Sequence, residues 1–155
     1  MKIIFIKDKN LIKNLIKELK KGIKEKNNLS YATNVIANMT RWNYFLEGNA
    51  LKYFDKVKKY IPNIHILEAW GNIYSKNDFT KEHDHVEKIS GILYLNTHPT
   101  GTYFNSIDKE ITAEAGKIIL FNGNELHSVK KIKSNKKRYV IAFNGRKKEN
   151  FELNI

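Results

Sequence analysis

The chain is 155 residues long, 41% hydrophobic and 12% aromatic, which is one domain's worth of sequence with ordinary core-forming content. It holds no cysteine, so disulfides and thiolate metal sites are excluded, and any metal would sit on histidine and carboxylate ligands suited to iron, manganese or zinc. Lysine and arginine number 28 against 16 acidic residues, a net charge of +12; this fits either an anionic partner such as nucleic acid or, more economically, a lysine-rich composition spread over solvated faces.

The opening Met1-Lys2-Ile3-Ile4-Phe5-Ile6 is too short for a signal peptide, lacks a small-residue cleavage site and reads as a strand. No apolar stretch approaches the length of a membrane span. With cysteine absent as well, the expected location is cytoplasmic, or the host cytoplasm for a phage-encoded chain. From Asn10 to Lys26, Leu11, Leu15, Leu19 and Ile23 recur every four residues, with Ile12 and Ile16 widening the stripe. This predicts an amphipathic helix packed on a sheet, lysines outward, with Asn27-Asn28 as its stop. Ser30 to Thr40 reads as a strand followed by a turn. A second helix is predicted from Asn49, as N-cap, to Tyr60, with Leu51, Phe54, Val57 and Ile61 buried and Pro62 ending it.

From Ile64 the period changes to two. Residues 64–74, 89–96, 117–121, 126–132 and 138–144 read as strands, separated by turns at 75–78, 96–101, 122–124 and 133–136. The expected fold is mostly β with N-terminal helices: an antiparallel sandwich or barrel braced by two helices. It forms one domain, with residues 1–62 as strand and supporting helices, 63–146 as the β core and 147–155 as a tail.

Five histidines occur. His83 and His85 flank Asp84, and residues two apart on an extended strand point to one face, so both imidazoles can converge on one ion. His127, at the start of a later strand, is a third candidate ligand, and three ligands would leave coordination positions open. Arg138 enters the otherwise apolar Tyr139-Val140-Ile141-Ala142-Phe143-Asn144. A guanidinium there is costly to bury without an anion, and its planar fork suits a carboxylate. Tyr94 shares a face with Ser90, Ile92 and Asn96, and Trp70 shares one with Asn72 and Tyr74. Such polar and aromatic faces read as a pocket lining.

The runs Trp70-Gly71-Asn72-Ile73-Tyr74, His83-Asp84-His85, Ser90-Gly91-Ile92-Leu93-Tyr94-Leu95, Ala115-Gly116-Lys117-Ile118-Ile119-Leu120-Phe121, His127-Ser128-Val129 and Arg138-Tyr139-Val140-Ile141-Ala142-Phe143-Asn144 together resemble the 2-oxoglutarate/Fe(II)-dependent oxygenases. The likeness is to the small bacterial and phage branch with a His-x-His metal motif, and it covers about residues 68 to 145. It implies a double-stranded β-helix (a jelly-roll, cupin-like core), iron on His83, His85 and His127, and dioxygen and 2-oxoglutarate as reaction partners. It further implies that Arg138 and Tyr94 hold the distal carboxylate of 2-oxoglutarate, with Asn72 as a further contact. Three positions depart from the pattern. His85 stands in place of a carboxylate, with Glu87 as an alternative ligand. Val140, in the pocket lining, replaces a common Ser or Thr, and Asn122 replaces a common Pro.

Two other functions fit the residues. One is a cupin-like three-histidine metalloenzyme that does not use 2-oxoglutarate. The other is a basic nucleic-acid-binding module built on Lys130, Lys131, Lys133, Lys136 and Lys137. The substrate is not legible in the residues; the resemblance to prolyl hydroxylases favours a protein or peptide side chain, with hydroxylation as the reaction. Segments 28–48, 75–82 and 97–115 are the expected lid and rim.

Overall fold

The computed structural model describes residues 1–25 and 33–148. In chain order the elements are β1 (Lys2–Phe5), α1 (Lys9–Lys24), β2 (Val35–Ile36), β3 (Asn38–Met39), a 3-10 turn (Tyr44–Leu46), α2 (Gly48–Lys58), β4 (Ile64–Tyr74), β5 (Phe79–His83), β6 (Ile89–Tyr94), β7 (His98–Phe104), a second 3-10 turn (Asn105–Ile107), β8 (Lys109–Ala113), β9 (Lys117–Asn122), β10 (His127–Val129) and β11 (Arg138–Lys147).

Helix α1 starts where Asp8 caps it, the carboxylate accepting from the Leu11 N–H at 3.0 Å. The expected stop at Asn27-Asn28 and the tail from Glu149 lie outside the described residues, as do Ser30 to Ala32 of the expected strand. Helix α2 has Glu47 at its N-cap position, two residues before the expected Asn49 and without a side-chain capping bond, and Gly48 takes a positive φ of 55° where the helix begins. No helix among the described residues is long and apolar enough to cross a membrane.

The strands form two antiparallel sheets, one ordered β1-β9-β6-β11-β4-β3 and the other β2-β5-β10-β7-β8. Strand parity divides the core in two. Leu15 and Leu19 of α1 and Phe54 and Val57 of α2 pack with Ile73, Leu93, Ile141 and Phe143 on the outer face of the larger sheet. Gly71 belongs to this face: a Cβ there would lie 2.3 Å from the Leu19 side chain. The alternate residues, among them Tyr74, Ile92, Tyr94 and Val140, face the second sheet and meet Phe104, Phe121 and Val129. A helix-braced jelly-roll is therefore the observed fold: the antiparallel sandwich that the period-two segments predicted, in the form that the resemblance implied.

The strands of the smaller sheet are where expectation and structure part. Residues 75–82 and 97–115, expected as lid and rim, supply β5, β7 and β8. Pro99 and Gly101 interrupt the alternation, and the β7–β8 register shifts between His98 and Thr102. A Cβ at Gly101 would sit 1.8 Å from the Ile111 carbonyl oxygen, so the turn-like composition marks a bulge inside a strand. Residues 126–132 shrink to a three-residue β10, and β6 ends at Tyr94.

Candidate metal centre and anion pocket

His83 closes β5, His127 opens β10, and the two are directly paired across the sheet. His85 lies just beyond β5 in the loop to β6. Its backbone N–H donates to the Gly123 carbonyl at 2.7 Å, and Gly123 in turn donates to Lys88 at 2.9 Å. A Cβ at Gly123 would fall 1.7 Å from the Glu87 carbonyl oxygen, so only glycine allows the two loops to approach this closely. The parity that pairs His83 with His85 thus extends past the strand end because a second loop holds it there.

The ligand nitrogens of His83, His85 and His127 all lie within 4.8 Å of one another. His83 Nδ1–H donates to the Lys81 carbonyl at 2.7 Å and His127 Nδ1–H to the Glu125 carbonyl at 2.9 Å. These bonds fix the tautomer and leave each Nε2 lone pair for the centre of the group. Burial pushes His85 down to about 4, with His83 adding to the effect. Burial also holds His127 down to about 4 against the Glu125 carbonyl, with His83 and His85 lowering it further. Both imidazoles are neutral at pH 7, the form that ligates a metal. Glu87 is not a member of the group.

Arg138 is 1% exposed and faces the same interior. Its Nε–H donates to the Thr100 carbonyl at 3.0 Å, and Nη2 donates to the Gly101 carbonyl and to Thr102 Oγ1, each at 3.1 Å. The guanidinium lies 4.7 Å from the Tyr74 ring centroid and 5.5 Å from that of Tyr94. It forms no ion pair among the described residues. A buried cation held by neutral oxygens and ring faces, with no counter-charge beside it, makes this a candidate anion site. Tyr94 OH and Thr102 Oγ1 are 2.6 Å apart, and Tyr74 OH and Thr80 Oγ1 2.7 Å apart, so each tyrosine is tied to the opposite sheet.

One narrow cavity joins the two features, lined both by His83, His85 and His127 and by Arg138, Thr102 and Tyr74. Trp70, Asn72, Ser90 and Val140 line it as well. Two buried polar atoms of β4, Trp70 Nε1 and Asn72 Oδ1, have no hydrogen-bond partner among the described residues, a need that a bound ligand or an ordered water would meet. Asn96, expected in the pocket lining, is not among the residues that line this cavity. It lies beyond β6, where its amide donates to the Lys137 carbonyl and accepts from Tyr139 N–H, and so fastens the start of β11. His98 serves packing, accepting from the Thr100 N–H and bonding the Lys136 carbonyl. Thr102, Thr80 and Trp42 escaped sequence reasoning. The threonines sit in segments whose composition reads as turn, and a hydroxyl carries no signal of its own. Lys130, Lys131, Lys133, Lys136 and Lys137 are all exposed on the β10–β11 loop, as expected of a solvated face.

No protein-family model and no curated protein matches the chain. Its fold does match solved structures. The viral collagen prolyl hydroxylase from Paramecium bursaria Chlorella virus-1, in its 2-oxoglutarate complex, is 15% identical, with 95% of this chain and 96% of that one covered and a TM-score of 0.69. The prolyl hydroxylase of Trichoplax adhaerens, in complex with a hypoxia inducible factor oxygen degradation domain peptide, is 15% identical over 99% of this chain and 87% of that one, with a TM-score of 0.68. HygX from Streptomyces hygroscopicus, with nickel and 2-oxoglutarate bound, is 9% identical over 95% and 82%, with a TM-score of 0.69. The chain shares the fold of these proteins.

Proposed function

We propose that this chain is a non-haem Fe(II)- and 2-oxoglutarate-dependent dioxygenase that hydroxylates a protein or peptide side chain. The observation that carries this reading is the pairing, in one cavity, of three convergent histidines with a buried arginine that has no carboxylate partner. The donor set fits the metal. Histidine nitrogens sit about 2.0–2.1 Å from a first-row ion, so three that share an ion with open positions are about 3–3.5 Å apart. The 4.8 Å group closes onto an ion with side-chain shifts of up to about 1 Å.

Iron with the keto acid, when bound, supplies coupled decarboxylation of 2-oxoglutarate to succinate and insertion of one oxygen atom into a C–H bond. The residues of the chain hold and orient. His83, His85 and His127 would hold the ion through ring nitrogens and leave it positions for exchangeable ligands. Arg138 pairs with the distal carboxylate, and Thr102 and Tyr94 extend the same hydrogen-bonded corner. Thr102 thereby brings a hydroxyl to the corner where Val140 offers none. Asn72 faces the cavity as a further contact for the cosubstrate. Phe121 and Phe104, whose rings lie 4.9 Å and 5.9 Å from His127, shield that ligand from water.

The choice of a protein or peptide substrate is supported by the fold shared with prolyl hydroxylases. A three-histidine enzyme that does not use 2-oxoglutarate would have the same metal group but no need of a buried cation opposite it. Release of succinate and CO2 from 2-oxoglutarate by protein loaded anaerobically with Fe(II) tests the assignment. His127→Ala and Arg138→Ala are expected to abolish that release, and turnover equal to the parent in both would refute it.

A further inference from the structure

A second cleft of about 200 Å³ lies on the outer side of the histidines. It shares Val35, Trp70, His83 and His85 with the inner cavity and adds Met39 and Trp42. Arg138, Thr102 and Asn72 line only the inner cavity. His83 and His85 therefore stand between two chambers of different chemistry. The inner one holds a buried cation. The outer one has no lysine or arginine in its lining: Trp42, Trp70, Val35 and Met39 form its apolar wall, and Thr33, Asn34 and Asp84 join the two histidines on its polar side.

The indole wall is fixed in place. Trp42 stacks on Trp70 with centroids 4.2 Å apart and an interplanar angle of 14°. Trp42 Nε1–H donates to Glu68 Oε1 at 3.4 Å, while Glu68 Oε2 accepts from Asn144 Nδ2 at 3.0 Å. Asn144 Oδ1 in turn accepts from Ser90 Oγ at 2.7 Å. This chain of bonds ties the segment after β3 to β4, β11 and β6. The Trp70 N–H is buried and has no partner. A buried N–H left unpaired is costly and rare, and a ligand acceptor removes the cost.

We propose that the Trp42–Trp70 stack is the substrate-facing wall of this site and selects a carbonyl-bearing substrate without an anionic group, since the cleft offers a carboxylate, Asp84, and no lysine or arginine. An apolar group of that substrate lies along the indole wall, and its carbonyl oxygen accepts the Trp70 N–H. Glu68 is a positioning residue that holds Trp42 in the stack. The inference rests on the oxygenase reading only for calling the occupant a substrate; the binding surface itself stands on the cleft, the stack and the unpaired donor.

The two tryptophans are the only ones in the chain, so intrinsic indole fluorescence reports on the wall directly. The probe is a set of twenty N-acetyl amino-acid amides, titrated into protein loaded with Ni(II) and 2-oxoglutarate. At least one member is expected to give a saturable change, with the corresponding free, charged amino acid binding more weakly. Trp70→Phe, which keeps a ring and removes the donor, and Trp42→Ala are each expected to weaken binding about tenfold, and in Trp42→Ala, which lies outside the inner cavity, retention of Ni(II) and 2-oxoglutarate stays at the parent level. Should Trp42→Ala fail to fold, Glu68→Ala is read in its place, with Glu68→Gln restoring affinity. No saturable change with any amide, or an unchanged affinity in either variant, overturns the proposal. If the protein retains neither Ni(II) nor 2-oxoglutarate, the oxygenase reading falls. The titration is then read on unloaded protein, where the same two variants decide the wall.

Discussion

Replacing Arg138 by Met separates a cosubstrate anchor from a structural clamp. In metal-loaded parent protein, 2-oxoglutarate at a hundred times its Kd stabilises the folded state by about 2.7 kcal/mol. For a chain of this size each kcal/mol raises Tm by about 2–4 °C, so the expected shift is about 5–10 °C. Breaking a desolvated guanidinium–carboxylate pair costs about 3–5 kcal/mol, which raises Kd by at least about a hundredfold. At the same concentration the variant then gains less than about 0.5 kcal/mol, a shift of about 1 °C. Stability without ligand behaves differently. Met leaves the Thr100 and Gly101 carbonyls without their donor, while Thr102 keeps Tyr94. It also removes a buried cation that has no counter-charge, so the two effects oppose each other and the net change stays within about 2 kcal/mol. Differential scanning fluorimetry of Ni(II)-loaded parent and variant, with and without 2-oxoglutarate, reads both quantities. An equal ligand shift in parent and variant, with a large loss of stability in the variant, would show that Arg138 serves β7 and not the cosubstrate.

His127→Ala should lower Fe(II) or Ni(II) affinity by more than about a hundredfold, since it removes a metal ligand where loss of a mere supporting partner costs 10–100-fold. Glu87→Ala should leave that affinity unchanged; equilibrium dialysis checks both, and a comparable loss in Glu87→Ala would restore the carboxylate as a ligand. Gly123→Ala forces a Cβ against the Glu87 carbonyl, so stability should fall by about 1–3 kcal/mol. Metal affinity should fall with it, because the Gly123 carbonyl holds the His85 backbone; denaturant unfolding and dialysis on one preparation test the link. For metal-free protein, His85 and His127 titrate near 4 when folded against about 6.5 when unfolded. The unfolded chain therefore binds more protons between those values, and stability should decrease as pH falls from about 6.5 to 4 while staying level above 7. A urea midpoint that does not move between pH 7 and pH 5 would contradict neutral, buried imidazoles.

Much of the larger sheet was legible because its strands are buried on both faces and obey a simple period. Trp70, Asn72 and Tyr74, and likewise Ser90, Ile92 and Tyr94, were assigned to common faces by parity alone, and the register Val140↔Asn72 and Val140↔Tyr94 places them on one interior. The helix stripe of Leu11, Leu15 and Leu19 was equally plain and packs on that sheet as expected. Asn96 failed as a pocket residue because β6 ends before it and parity lapses with the strand.

His83 and His85 were a candidate pair from spacing, and Arg138 stood out as a charge in an apolar run. What spacing could not supply was the distance between separate segments. His127 meets His83 only because β10 pairs with β5, and β5 itself was hidden in a polar segment that reads as loop. The Thr102 hydroxyl reaches Arg138 across the interior from a bulged strand that composition disguises as a turn. Trp42 comes to the cleft beside His83 and His85 from a segment with no period at all, held by Glu68 and the face of Trp70. Local pattern determines which face a side chain takes, since that depends on the backbone's own repeat. Which faces meet depends on strand pairings between distant segments, and only the folded chain decides those.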